Sequence, residues 1–123
     1  MFMQDWVYIE ALNVESLIGV YEFEREAKQT LLLDLNLAFD CTKAGETDDL
    51  QYALDYDALS QRVRAWSQEQ TFELLERYAQ QLCELIHVEF GINLIQLRIN
   101  KPAAVGGCAA VGLRIERRFA AHD

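Results

Sequence analysis

The sequence predicts an α+β domain, with two amphipathic helices packed on one face of a four-stranded antiparallel sheet. Three observations lead there. Between Thr30 and Asp40, Leu31, Leu33, Leu35, Leu37 and Phe39 alternate with Asp34, Asn36 and Asp40, the period of a strand with one apolar face. From about Tyr56 to Phe90, apolar residues recur at helical spacing in two runs. Between Ile95 and Glu116 the two-residue period returns on either side of Lys101-Pro102. Strands, then helices, then strands is an order that buries both helices against a single antiparallel sheet.

Each element follows from its local pattern. Trp6 to Leu12 reads as a first strand, with Val7, Ile9 and Ala11 on one face and Trp6, Tyr8 and Glu10 on the other. Asn13 to Ser16 reads as a loop. Gly19, inside Leu17-Ile18-Gly19-Val20-Tyr21, marks a turn or a close approach of backbone. The charged run Glu22-Phe23-Glu24-Arg25-Glu26 reads as a solvated loop. The eleven residues of Thr30–Asp40 would extend on the order of 35 Å, long for a small domain. That length is expected of a large, curved sheet completed by other subunits. Thr42 to Gln51, polar and holding Gly45 and Asp48-Asp49, reads as a connection.

The first helix is expected from about Tyr56 to Glu69, with Asp55 as N-cap and Leu59, Val63 and Trp66 on its buried stripe. Gln70 and Thr71 break it. The second is expected from about Phe72 to Phe90, with Leu74, Leu75, Tyr78, Ala79, Leu82, Leu85 and Ile86 on one half of the wheel. Gly91 stops it. In the last two strands Ile95, Leu97 and Ile99, then Val111, Leu113 and Ile115, supply the apolar face. Pro102, the chain's single proline, pushes Lys101 toward extended backbone. Lys101 is thereby placed at a strand end. Gly106-Gly107 has no helix after it to hold a phosphate and reads as turn geometry.

Composition narrows the function. The 123 residues make one domain, residues 1–123, with 51% apolar content to fill a core. No apolar run approaches the roughly 18 residues of a membrane span, and Met1 to Trp6 reads as no signal peptide; a cytoplasmic protein is expected. A net charge of −9 disfavours nucleic acid, whose binding needs basic patches. Cys41, Cys83 and Cys108 share no metal spacing and read as reduced thiols, Cys83 in the core. His87 and His122 pair with no cysteine, so no metal site is expected. Dinucleotide, P-loop and zinc-protease motifs are absent from the sequence.

Periodicity alone singles out few reactive candidates. Lys101, between two strands, suits chemistry and suits solvated surface equally well. Glu76 falls at the border of the apolar half of its helix, beside the polar arc of Glu73, Arg77, Gln80 and Glu84; by itself it reads as a solvated glutamate. Tyr56 opens its helix on the apolar side, where core packing with the hydroxyl at the rim competes with a proton relay.

Four segments together carry more. Ile18-Gly19-Val20-Tyr21-Glu22-Phe23-Glu24, Leu54-Asp55-Tyr56, Leu74-Leu75-Glu76-Arg77 and Asn100-Lys101-Pro102-Ala103-Ala104-Val105 resemble the dihydroneopterin aldolase family of folate biosynthesis, in family order and across nearly the whole chain. The resemblance implies the tunnelling fold, in which four subunits join their sheets into a ring-shaped barrel and two rings stack as an octamer. It implies a pterin pocket between neighbouring subunits, a retro-aldol lyase, and no metal or cofactor. Glu76 resembles the family's pterin anchor, with the main chain of Leu75 beside it. Lys101 resembles the general acid/base, Tyr56 from the adjacent subunit the proton relay, and Glu24 the substrate-contacting glutamate of the first loop, with Glu22 and Glu26 as neighbours in the same run. Two other readings compete: the related epimerase of dihydroneopterin triphosphate, and a non-catalytic pterin-binding ring protein.

Overall fold

The computed structural model describes residues 3–102 and 104–120. Ala103, within the last of the four segments, and His122 lie outside the described residues.

The sheet has strand order β3-β1-β2-β4-β5. Its strands are β1 (Trp6–Ile18), β2 (Gln29–Ala38), β3 (Thr71–Phe72), β4 (Leu94–Pro102) and β5 (Ala110–Arg118). The helices are α1 (Thr42–Thr47), α2 (Tyr56–Gln68) and α3 (Leu75–Phe90). Four long antiparallel strands match the expectation. The fifth, β3, is two residues long and pairs parallel to the end of β1.

The first strand does not stop at Leu12. It continues through the expected loop Asn13–Ser16 to Ile18, because an extra residue changes its phase part-way. Ile9 pairs with Leu35 and Leu12 with Leu33, so Glu10 and Ala11 together oppose Asp34. This is a β-bulge. Ala11 takes a left-handed φ of 51°, and its N–H donates to Asp34 Oδ1 at 2.8 Å. Val7 and Ile9 pack against the core, as expected. Ala11 is instead exposed, and Leu12, Val14, Ser16 and Ile18 are the buried residues beyond it.

β2 and β4 supply the centre of the core. Leu31, Leu33, Leu35, Leu37, Ile95, Leu97 and Ile99 are fully buried under α2 and α3. The opposite face is polar: Asn36 donates to Gln96 (3.1 Å), Gln96 to Glu116 (2.9 Å), and Arg98 pairs with Asp34 (3.6 Å). Asp55 caps α2 by accepting from Ala58 N–H at 3.0 Å, and Gly91 ends α3 with φ 70°. The two helices lie side by side, joined by a two-pronged Arg62–Glu89 bridge at 2.9 and 3.1 Å. Nearer the end of α2 and the start of α3, Ser67 Oγ and Tyr78 Oη lie 2.7 Å apart with both residues buried. α3 starts at Leu75, later than the periodicity predicts, because Phe72 is drawn into β3 and Leu74 is left exposed. The expected Thr42–Gln51 connection contains α1 and runs into a 3-10 turn, Leu50–Tyr52. No described helix is long and apolar enough to cross a membrane.

Candidate active site

Three chain segments meet at one end of the sheet. β1 ends at Ile18, and Gly19 N–H donates to the Phe72 carbonyl of β3 at 3.1 Å. From β3 the chain turns directly into α3, which brings Leu75 and Glu76 to this end. β4 arrives from the other side and delivers Lys101. Its ammonium donates to the Ile18 carbonyl at 3.4 Å, so the lysine is tied to the point where β1 leaves the sheet.

The acidic run beyond Gly19 is not a loose loop. Glu22–Arg25 forms one 3-10 turn. Glu24 folds back from it, accepts Tyr21 N–H through Oε1 at 3.2 Å, and meets Lys101 Nζ through Oε2 at 3.2 Å. A Cβ at position 19 would overlap the Glu24 side chain, so this approach requires glycine. The lysine side chain is 14% exposed and the glutamate 24%, a pair at the mouth of a depression rather than on open surface. That depression, about 360 Å³, is lined by Glu24, Gln29, Thr30, Lys101, Pro102 and Ala104. The Tyr21 N–H first, and then Lys101, hold the Glu24 carboxyl below its ordinary range, against the effect of burial.

Glu76 is exposed in the first turn of α3. Leu74, the N-cap, has no side-chain oxygen to offer the helix start, so its side chain caps none of the leading N–H groups of α3. Lys101, Glu24, Leu75 and Glu76 therefore share one end of the molecule. Tyr56 does not. α2 runs beside β1, with Arg64 Nε bonded to the Asn13 carbonyl (3.0 Å) and Gln70 O to Leu17 N–H (3.4 Å). The end of α2 is thus near the site, and Tyr56 is roughly 18 Å of helix away from it. Tyr56 is also 64% exposed, which rules out the core packing that its wheel position allows.

Periodicity did not single out Gln29, Thr30 or Arg25. Gln29 Nε2 donates to the Glu24 carbonyl at 2.9 Å, and Arg25 binds main-chain carbonyls. A polar residue at a strand start carries no pattern that marks it, and an arginine amid glutamates reads as surface. Cys83 is buried, and burial pushes its thiol up to about 12. It is a core residue and no nucleophile.

The sequence matches the family model FolB, dihydroneopterin aldolase, over residues 7–116. The chain belongs to the dihydroneopterin aldolase family. The dihydroneopterin aldolase of Haemophilus influenzae is 38% identical over 92% of this chain and 96% of its own length. A FolB structure from Vibrio cholerae superposes with a TM-score of 0.91 at 42% identity, covering 95% of this chain and 99% of that one. The Escherichia coli dihydroneopterin aldolase, solved in complex with neopterin, does so with a TM-score of 0.88 at 36% identity, covering 92% and 98%. A dihydroneopterin triphosphate 2′-epimerase from Pseudomonas aeruginosa is more distant, 25% identical over 89% of each chain. Family membership accounts for the order of the four segments. The geometry above adds that Glu24 and Lys101 meet within a single chain, at the sheet end where the helix that carries Glu76 begins.

Proposed function

We propose that this protein is a 7,8-dihydroneopterin aldolase, a carbon–carbon lyase that releases glycolaldehyde and forms 6-hydroxymethyl-7,8-dihydropterin. The observation that carries the reading is the Lys101–Glu24 pair, at 3.2 Å, placed at the sheet end where α3 begins. The 38% identity to the dihydroneopterin aldolase of Haemophilus influenzae, over 92% of the chain, supports the same reading.

Glu76 is the pterin anchor. Its two carboxylate oxygens accept parallel N–H bonds from the 2-amino group and N3 of the ring, and the main chain at Leu75 lines the same pocket. The substrate's C6=N5 imine lies beside the bond that breaks. Removing the proton of the 2′-hydroxyl cleaves C1′–C2′, and the electron pair passes into the imine as an enamine while glycolaldehyde leaves. Protonation at C1′ completes the product. The substrate thus supplies the electron sink that other aldolases take from a Schiff base or a metal ion, so the reaction runs without metal or cofactor. The protein has to orient and to move protons. Lys101 is the acid/base, and Glu24 binds the substrate's side chain and holds the lysine in place.

Tyr56 relays the proton from a second copy. In one chain it sits at the far end of α2, exposed beside Leu50, which is itself 71% exposed. A head-to-tail neighbour can bring this strip to the Lys101 end. Ring assembly as a tetramer, and stacking as an octamer, complete the site. The whole chain acts as one domain, in the cytoplasm.

Reclosing the same bond after rotation of the aldehyde inverts C2′, so epimerisation at C2′ is a side reaction of this site. Incubation with 7,8-dihydroneopterin tests the reading. Glycolaldehyde and 6-hydroxymethyl-7,8-dihydropterin should accumulate, unaffected by a chelator. C2′ inversion of the triphosphate without glycolaldehyde would make it an epimerase. Pterin binding with neither reaction would make it a binding protein.

A further inference from the structure

Glu24 reaches Lys101 only if the single 3-10 turn that carries it is held still. A turn of four residues has almost no stability of its own, and no residue of Glu22–Arg25 is buried. Two side chains anchor it. Gln29 Nε2 bonds the Glu24 carbonyl at 2.9 Å. Arg25 folds back the other way: its Nη1 donates to the Gly19 carbonyl and, at 3.0 Å, to that of Val20. Arg25 is half-buried and forms no carboxylate bridge among the described residues, although Glu22, Glu24 and Glu26 surround it in sequence. Its guanidinium closes the link between the end of β1 and the turn, at the glycine over which Glu24 must lie.

We propose that Arg25 is a positioning residue: by clamping the Gly19 and Val20 carbonyls it sets the distance between the Glu24 carboxylate and the Lys101 ammonium. Both bonds leave one nitrogen, Nη1, whose two hydrogens have fixed directions in the guanidinium plane; a lysine at the same place keeps the charge, but its ammonium lacks that fixed plane and ends one bond shorter. Arg25 touches neither Lys101 nor the depression in front of it. Its route to turnover is Glu24, whose carboxyl its charge also helps, after the Tyr21 N–H and Lys101, to hold low; the clamp and the charge are therefore tested apart.

The kinetic part rests on the aldolase reading; the titration part does not. In glycolaldehyde release, Arg25→Ala should lower kcat about tenfold and raise KM by less, about threefold, because the Glu76 end of the pterin is untouched and only the Glu24 contact to the side chain shifts. In a Glu24→Gln background the same substitution should change kcat less than about twofold, since effects routed through one group are not additive. A tenfold loss in that background too would overturn the proposal. Independently, a carbon-13 carboxyl titration of the substrate-free protein reads the Glu24 midpoint. It should rise toward the ordinary glutamate value in Arg25→Ala and also in the charge-keeping Arg25→Lys. A wild-type midpoint in Arg25→Lys would leave only a charge effect and refute the clamp. Should Arg25→Ala fail to fold, Arg25→Lys carries both measurements. Should the wild type release no glycolaldehyde, the aldolase reading falls and the titration alone decides the role of Arg25.

Discussion

The bond between Ser67 and Tyr78 ties the last turn of α2 to the first turns of α3, two residues beyond Glu76. The two ends of this bond should not be equally costly to remove. Both residues are fully buried, and their oxygens are 2.7 Å apart. Tyr78 also packs its ring on Trp66 (5.3 Å between centroids) and edge-on to Phe72 (6.2 Å). Tyr78→Phe keeps that packing and deletes one hydroxyl. The serine left behind can turn its hydroxyl to the carbonyl one helical turn earlier, so the cost is that of one ordinary hydrogen bond, about 1 kcal/mol. Ser67→Ala strands the phenol, which has no such fallback. Burial already raises its pKa far above the ordinary value, so ionisation offers no escape. The loss is then that of a buried unsatisfied group, about 2–3 kcal/mol. At about 4 °C of Tm per kcal/mol for a domain of this size, the shifts are about 4 °C and about 10 °C. Urea unfolding at one fixed protein concentration measures this, since assembly makes stability concentration-dependent. The double variant should lose about 1 kcal/mol less than the sum of the singles. A Ser67→Ala variant as stable as Tyr78→Phe, or strict additivity, would refute the reasoning.

Other perturbations separate the site residues. Lys101→Ala should abolish glycolaldehyde release while pterin binding stays measurable by calorimetry, whereas Glu76→Ala should lose the binding itself; the reverse pattern would exchange their roles. If Tyr56 comes from a neighbour, Lys101→Ala and Tyr56→Phe chains, each inactive, should regain activity when unfolded and refolded together. Random pairing leaves about a quarter of the sites with both residues intact, and zero recovery would place the whole site within one chain. Arg62 holds the Glu89 carboxyl below its ordinary range. Its contribution to stability is therefore complete above that range and disappears as the pH falls through the lowered value. The urea midpoint of Glu89→Gln should fall below wild type at about pH 7, and the gap should close as the pH falls through and below the lowered value; a gap that does not shrink in acid would contradict the assignment.

Where one periodicity ran unbroken, the sequence sufficed. β2, β4, the start of α2 at Asp55 and the end of α3 at Gly91 were all legible, because a single pattern or cap decides each. β1 was not. Its bulge reverses which residues point inward, so alternation seems to end at Leu12 and the buried Ser16 reads as loop. Phe72 and Leu74 were equally compatible with helix and with extended chain. Pairing of Phe72 with Ile18, distant in sequence, decided between them. At the site, Pro102 marked the strand end that presents Lys101. The family resemblance marked Glu24, but only the folded turn showed its carboxylate reaching back to the lysine. Of the two readings left open for Tyr56, its 64% exposure removes core packing, since the first residue of a helix has no preceding turn to shelter it.

The odd residue at Ala11 also limits how this chain can drift. Side chains in a strand change sides with every step, so the insertion works as a parity switch between the amino-terminal half of β1 and the half that ends at Ile18. Deleting it would keep the downstream geometry around Gly19 and Lys101, yet turn Trp6, Tyr8 and Glu10 toward the helices and Val7 and Ile9 toward solvent. A shortened version of the strand would thus be inherited only together with a rewritten start to the gene. The carboxylate of Asp34, which holds the spare N–H, is the residue that keeps the two halves out of step.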